Sequence, residues 1–94
     1  MSIAESRAAR IEASLRSHLT PSEFALTDES HLHRGHAGAQ GGKGHFRVRL
    51  VSASFAGKTL LARHRLVYGA LSELMETDIH ALSIEALTPD EAAR

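Results

Sequence analysis

Histidine is the residue type through which this sequence has the most capacity for chemistry. Seven of its 94 residues are histidines, and four of these lie with five glycines in one polar stretch, residues 28–46. The four are His31, His33, His36 and His45. Neutral imidazole is the commonest metal ligand in proteins, and glycine lets the backbone come close to whatever an imidazole holds. The stretch is therefore a candidate metal-binding loop; the alternative interpretation is a solvated hairpin loop that binds nothing.

The stretch does not supply a complete metal site by itself. The chain contains no cysteine, which excludes disulfides, a nucleophilic thiol and thiolate ligands within the chain. No two histidines have the His-x-x-x-His spacing of a helical zinc site. Nucleophile-elbow, P-loop and Ser-His-Asp patterns are also missing. We therefore predict that the protein is not an enzyme, and that any metal chemistry uses histidine or carboxylate, or sulfur from a partner.

His80 is a further candidate because it opens a predicted strand. It shares strand parity with Leu82 and Ile84, so one interpretation is a histidine half-packed against the helices and the other is a metal ligand. The order of elements along the chain does not by itself assure that the loop histidines lie near His80. Both interpretations stay open at this point.

A basic cluster marks the start of a predicted helix: Lys58, Arg63, His64 and Arg65. The helix dipole disfavours cations at this position, so a phosphate or an acidic partner surface is one explanation for them. The other is that both arginines are solvated while His64 packs on the apolar stripe beneath.

Size and charge set limits on the partners of the protein. Ninety-four residues with 43% hydrophobic and 23% charged side chains are typical of one globular domain, which we place at residues 1–94. Eleven basic and eleven acidic residues cancel, so no overall field draws the chain to nucleic acid or membrane. No apolar run reaches signal-peptide or membrane-span length. We expect a soluble, cytoplasmic protein.

Periodicity predicts the elements that must position these residues. A helix over about residues 3–18, capped by Ser2 and Glu5, carries an outer charged face that includes Arg7 and Arg10. Alternation predicts strands at residues 23–27 and 45–52, and apolar residues on both faces predict a third at 79–87. Between the last two strands we expect a helical turn near residues 58–62 and a helix over 63–76; the apolar stripe of this region comprises Leu60, Leu61, His64, Val67, Tyr68, Leu71, Leu74 and Met75. A final helical turn begins at Thr88.

The order α-β-β-α-α-β-α predicts how these elements pack. The first two strands form an antiparallel hairpin with a long loop, and the helical crossover makes the last two strands parallel. The expected fold is an α+β two-layer sandwich with a three-stranded mixed sheet and helices on one face.

Five short motifs in this order resemble the BolA family over nearly the whole chain. They are DESHLH at residues 28–33, GHF followed by VS at 44–52, F-x-G at 55–57, RHRLVY at 63–68, and IHAL at 79–82 followed by Thr88 and Pro89. The resemblance implies a class II KH-like fold. It also implies a monothiol glutaredoxin partner, with which such proteins share a bridging [2Fe-2S] cluster; the partner's cysteine and glutathione supply sulfur, and the BolA-like chain supplies histidine.

The resemblance also implies which histidines would be cluster ligands. His80 matches the family's C-terminal ligand because it stands in IHAL. The second ligand falls on His33 when the loop is aligned from DES, and on His36 when it is aligned on Gly-His-Ala. Alone, such a chain is expected to be a monomer or a weak homodimer.

Some members of the family resemble transcriptional regulators, which gives an alternative function. In that case Lys58, Arg63 and Arg65 would contact DNA phosphates. The balanced charge of the chain and the single Gly57, where KH modules have a GxxG loop, argue against this alternative.

Overall fold

A computed structural model of the chain describes residues 6–30 and 44–94. The predicted order of elements is confirmed within these ranges. In chain order the elements are α1 (Arg7–Leu19), β1 (Glu23–Asp28), β2 (Gly44–Val51), a 3-10 turn (Ala53–Phe55), α2 (Leu60–Ala70), α3 (Ser72–Thr77), β3 (Ile79–Leu87) and α4 (Pro89–Ala92).

The three strands form one mixed sheet in the order β1-β2-β3. β1 is antiparallel to β2, with Asp28 opposite Phe46, and β2 is parallel to β3. Phe46, Val48 and Leu50 alternate toward the helices and are buried with side chains from α1 and α2. The predicted α+β two-layer sandwich is therefore confirmed, with the helices on one face of the sheet.

Helix α1 begins at Arg7, later than the sequence predicted. The Ser6 hydroxyl is the N-cap and accepts a hydrogen bond from the Ala9 amide at 3.1 Å. Ser2 and Glu5, which were predicted to cap the helix, lie outside the described residues. The helix ends at Leu19, and Thr20 adopts the left-handed conformation, with φ 40°, while its amide bonds the Arg16 carbonyl.

The helical region between β2 and β3 differs from the predicted turn and single long helix. Thr59 caps α2 by accepting a hydrogen bond from the Ala62 amide, so α2 begins at Leu60. It ends at Ala70 because Leu71, with φ −110° and ψ 15°, is not helical, and α3 starts at the next residue. Leu71 is buried in the core, and the break between α2 and α3 lies at this residue. Nearby Gly69 lowers the local preference for helix.

Part of the predicted apolar stripe of α2 faces solvent. Val67 and Ala70 are buried, whereas Leu60 and Leu61 are 65% and 60% exposed and Tyr68 is 41% exposed. At about 100° per residue, Leu61 and Tyr68 lie roughly 100° to 120° around the helix from Val67. The face centred near Val67 packs on the core, so these two side chains point away from it, and Leu60 is exposed at the start of the helix.

Candidate functional site

The candidate site lies at the edge of the sheet where β2 and β3 both begin. Because the two strands are parallel, Gly44 at the start of β2 pairs with Ile79 at the start of β3. The end of β1 reaches the same edge, and the Ser30 hydroxyl accepts a hydrogen bond from the His45 amide at 3.0 Å. His33 and His36 lie outside the described residues; Ser30 and Gly44, which flank that range in the described part of the chain, both lie beside the start of β3.

A β-bulge places His80 on the open side of this edge. Gly44 pairs with Ile79 and His45 pairs with Ala81, so His80 has no pairing partner in β2. An extra residue in one strand reverses the alternation of its side chains. Ile79 is buried, and His80 and Ala81 are both exposed. The interpretation of His80 as half-packed against the helices is wrong for this reason.

His45 is a second histidine at this edge. The ring centroids of His45 and His80 are 4.9 Å apart, and their planes are tilted by 51°. The sequence placed His45 among the four histidines of the polar stretch and did not pair it with His80. The signal that could have found it is topological, since two parallel strands that start at one edge bring their first residues together.

Asp78 anchors the start of β3. Its carbonyl accepts a hydrogen bond from the Gly44 amide at 2.8 Å. Its carboxylate binds Arg10, and Arg7 Nε lies 3.3 Å from its Oδ2. The Thr77 hydroxyl, followed by these two guanidinium groups, holds the pKa of Asp78 below its usual value although burial opposes this. Arg7 and Arg10 remain 41% and 38% exposed, as expected for a charged outer face, but both also reach across to the chain just before His80.

Within the basic cluster at the start of α2, Arg63 is held in an ion pair inside the chain. The two ends of the Arg63 guanidinium bind the Glu91 carboxylate at 2.6 and 3.0 Å, and its N–H groups also reach the carbonyls of Ala86 and Lys58. The Arg63 side chain is 12% exposed. A carboxylate from the same chain thus explains a cation at this helix start, without a phosphate or a partner.

The other members of the cluster remain accessible to different degrees. Lys58 and Arg65 are exposed. His64 is half-buried, and its Nε2 atom is buried without a hydrogen-bond partner among residues 6–30 and 44–94. Exposed cations at this end of α2 are therefore Lys58 and Arg65.

The described residues do not form a complete metal site. Within them, no group of three or more histidine, aspartate or glutamate side chains is placed to hold a metal ion. His80 brings an exposed imidazole to this edge, and the half-buried ring of His45 lies beside it. A metal centre at this edge would therefore need ligands from residues 31–43, from another molecule, or from both.

Comparison with known proteins identifies the family. The family model described as BolA-like protein matches residues 15–91. This chain belongs to the BolA family. The BolA-family chain is 45% identical over 91 residues to Protein BOLA1, chloroplastic, of Arabidopsis thaliana, an alignment that covers 94% of this chain and 57% of that protein. It is 40% identical over 82 residues to the DNA-binding transcriptional regulator BolA of Escherichia coli, covering 87% of this chain and 75% of that one.

Solved structures agree with this assignment. The BolA domain of SufE1 from Arabidopsis thaliana has a TM-score of 0.81 and 43% identity, with 92% of this chain and 95% of that one covered. BolA1 from the same plant has a TM-score of 0.79 and 41% identity, with 93% and 96% covered. This BolA-family chain spans little more than half the length of the chloroplastic relative. No helix in the described part of the chain is both long and apolar enough to cross a membrane. The cytoplasmic location stays a prediction, since some relatives carry chloroplast names.

Proposed function

We propose that this BolA-family protein binds a monothiol glutaredoxin and contributes His80, with His33 or His36, to a [2Fe-2S] cluster that bridges the two chains. The observation that supports this most is the position of His80. Its side chain is exposed at the sheet edge where Ser30 and Gly44 lie, and these two described residues are the ones between which the chain carries His33 and His36.

The residues at this edge fit a shared cluster better than a self-contained one. They offer imidazole, which ligates iron as a neutral group, and the sequence has no thiolate to add. The missing sulfur would come from the glutaredoxin cysteine and from glutathione. Histidine in place of thiolate on one iron makes a cluster less negative and raises its reduction potential.

The contribution of the chain itself is to present an imidazole at a fixed place. The start of β3 is held by the Asp78 carbonyl on the Gly44 amide and by the Asp78 carboxylate on α1. The bulge then directs the next histidine away from the core. A partner that approaches the edge would meet an imidazole whose backbone is already ordered, which lowers the entropy lost on binding.

The experiment is anaerobic co-purification with a monothiol glutaredoxin in the presence of glutathione, followed by visible absorption and circular dichroism. We expect His80→Ala to remove or alter the cluster spectrum of the heterodimer. The matched control is His18→Ala, because His18 is an exposed histidine near the C-terminal end of α1 whose ring lies 2.9 Å from the Ser14 carbonyl. A His80→Ala heterodimer with an unchanged spectrum would refute the ligand assignment.

DNA binding is a second candidate, favoured by two observations. One relative of this chain is named a DNA-binding transcriptional regulator. Lys58 and Arg65 are exposed, and residues 53–71 contain no acidic side chain. Against it, Arg63 is held by Glu91, and the exposed side chains of Leu61 and Tyr68 on the same helix are more typical of a protein contact than of a phosphate contact.

Salt dependence tests this second candidate. If the basic end of α2 contacts two phosphates, the double variant Lys58→Ala/Arg65→Ala binds DNA more weakly, and the slope of log K against log salt concentration becomes less steep by about 2. Arg47→Ala is the control, since Arg47 is an exposed cation on the sheet. Equal binding of the double variant and the control would exclude this surface as a DNA site.

A further inference from the structure

We propose that Gly44 and His45 are positioning residues that set the direction of the His80 imidazole. This inference rests on the proposed function, because the direction matters only if His80 meets a ligand brought by a partner. It goes beyond that function in naming two residues that act through His80 without being cluster ligands.

The β-bulge at the start of β3 is the first feature that sets the direction of the His80 side chain. The Gly44 amide donates to the Asp78 carbonyl at 2.8 Å, and the next pair in register is His45 with Ala81. His80 is therefore the residue of β3 that has no pairing partner in β2. With regular alternation, His80 would share the side of Leu82, which faces the helices; with the bulge it shares the exposed side of the sheet with His45.

Gly44 is needed because other atoms occupy the space of a side chain. A Cβ atom on Gly44 would lie 2.6 Å from Cε2 of Phe46 and 2.8 Å from the Ser30 hydroxyl oxygen. Neither neighbour is free to move, since Phe46 is 2% exposed within the core and the Ser30 hydroxyl holds the His45 amide. Any larger residue at 44 would shift the start of β2 and with it the bulge.

The His45 ring packs beside the His80 ring, and the backbone of His45 is held in place. Its amide donates to Ser30 Oγ at 3.0 Å, and its carbonyl accepts from the Glu29 amide at 2.7 Å, so the backbone beneath the ring is held from both directions. The two ring centroids are 4.9 Å apart. An exposed imidazole has several rotamers, and a packed neighbour limits them, as supporting residues around metal ligands commonly do.

Packing against His80 needs an aromatic ring at position 45 but does not need a ring nitrogen. A phenyl ring there would keep the contact with His80, whereas a methyl group would not. His45→Phe and His45→Ala therefore separate positioning by packing from direct ligation by His45.

The test compares Gly44→Ala, His45→Ala and His45→Phe in the full chain, first without a partner. NMR cross-relaxation between the ring protons of residues 45 and 80 reports their contact. We expect it in the wild type and in His45→Phe, and we expect Gly44→Ala to lose it. Retention of the wild-type contact in Gly44→Ala would overturn the role of Gly44.

The second readout uses the heterodimer with glutaredoxin and glutathione. We expect His45→Ala and Gly44→Ala to change the visible circular dichroism and to lose the cluster roughly tenfold faster, while affinity for cluster-free glutaredoxin stays as in the wild type and His45→Phe behaves as the wild type. If His45→Phe matches His45→Ala, His45 acts through a nitrogen and the inference fails. If the wild-type heterodimer holds no cluster, the proposed function fails, and the ring contact in the free chain still decides whether Gly44 and His45 orient His80.

Discussion

Arg63 and Glu91 form a two-point ion pair, with distances of 2.6 and 3.0 Å, that joins the first turn of α2 to α4. Glu91 also completes a capping box, because its side chain accepts the Thr88 amide while the Thr88 hydroxyl accepts the Glu91 amide. The Arg63 guanidinium further reaches the Ala86 carbonyl near the end of β3. The Glu91 carboxylate thus caps the start of α4 and also holds the start of α2.

Because of this ion pair, we expect the folded protein to lose stability in acid as Glu91 becomes protonated. Hydrogen bonding from Arg63, and then from the Thr88 amide, lowers the pKa of Glu91 from 4.5 to about 2. A depressed folded-state pKa contributes stability that is present above the unfolded value of 4.5 and is lost as pH falls through about 2. Glu91→Gln should therefore be less stable at pH 7 and should lose less stability than the wild type between pH 5 and pH 2.

Urea unfolding over that pH range measures this effect. Glu73→Gln is the control, because Glu73 is exposed on α3 and its change should leave the pH profile close to that of the wild type. Identical profiles for Glu91→Gln and the wild type would show that the ion pair adds no stability.

The loop ligand can be identified by single substitutions of His33 and His36. Each variant serves as the control for the other, since both change one histidine in the same segment. We expect one of them to alter the visible circular dichroism of the glutaredoxin heterodimer as His80→Ala does, and the other to preserve it. A wild-type spectrum from the His33→Ala/His36→Ala double variant would exclude both as ligands.

Ser52→Ala should destabilise the fold by about 1–3 kcal/mol. Ser52 is 1% exposed, and its hydroxyl donates to the Leu19 carbonyl at the end of α1 at 2.6 Å. It also accepts from the Ser54 amide at 3.0 Å, so its removal leaves polar groups of two segments without this partner. Chemical denaturation measures the loss.

Ser54→Ala is the matched control for that measurement. The Ser54 hydroxyl lies 3.5 Å from the same Leu19 carbonyl, and Ser54 is exposed. Its loss should cost less than about 0.5 kcal/mol. Equal costs for the two variants would contradict the assignment of Ser52 as the main partner of Leu19.

Thr20→Gly should stabilise the protein by up to about 1 kcal/mol. Thr20 is an exposed, β-branched residue with φ 40° and ψ 59°, a left-handed conformation that glycine adopts without strain. Thermal unfolding measures the gain. Thr27→Gly is the control, because Thr27 is exposed in the extended backbone of β1 and the same change there should cost about 0.5–1 kcal/mol. Equal losses from both substitutions would show that Thr20 is not strained.

The sequence by itself determined the elements and most of the architecture. Alternation in residues 45–52 and helical spacing in α1 depend only on the periods of strand and helix, so local patterns were sufficient. The crossover rule predicted the parallel pairing of β2 and β3, and five motifs indicated the BolA family from the sequence alone. The candidate ligand His80 also came from the sequence; its role in a cluster stays a prediction.

Only the tertiary structure decided how the side chains of those elements are used. The exposure of Leu61 depends on which side of α2 packs on the core, and the partner of Arg63 lies 28 residues away along the chain. The contact between His45 and His80 required a bulge, which the register of two strands sets and which no local pattern in either strand reveals. Periodicity is a local property, whereas register and pairing depend on residues distant in sequence, and for this reason the edge around His80 emerged only from the folded chain.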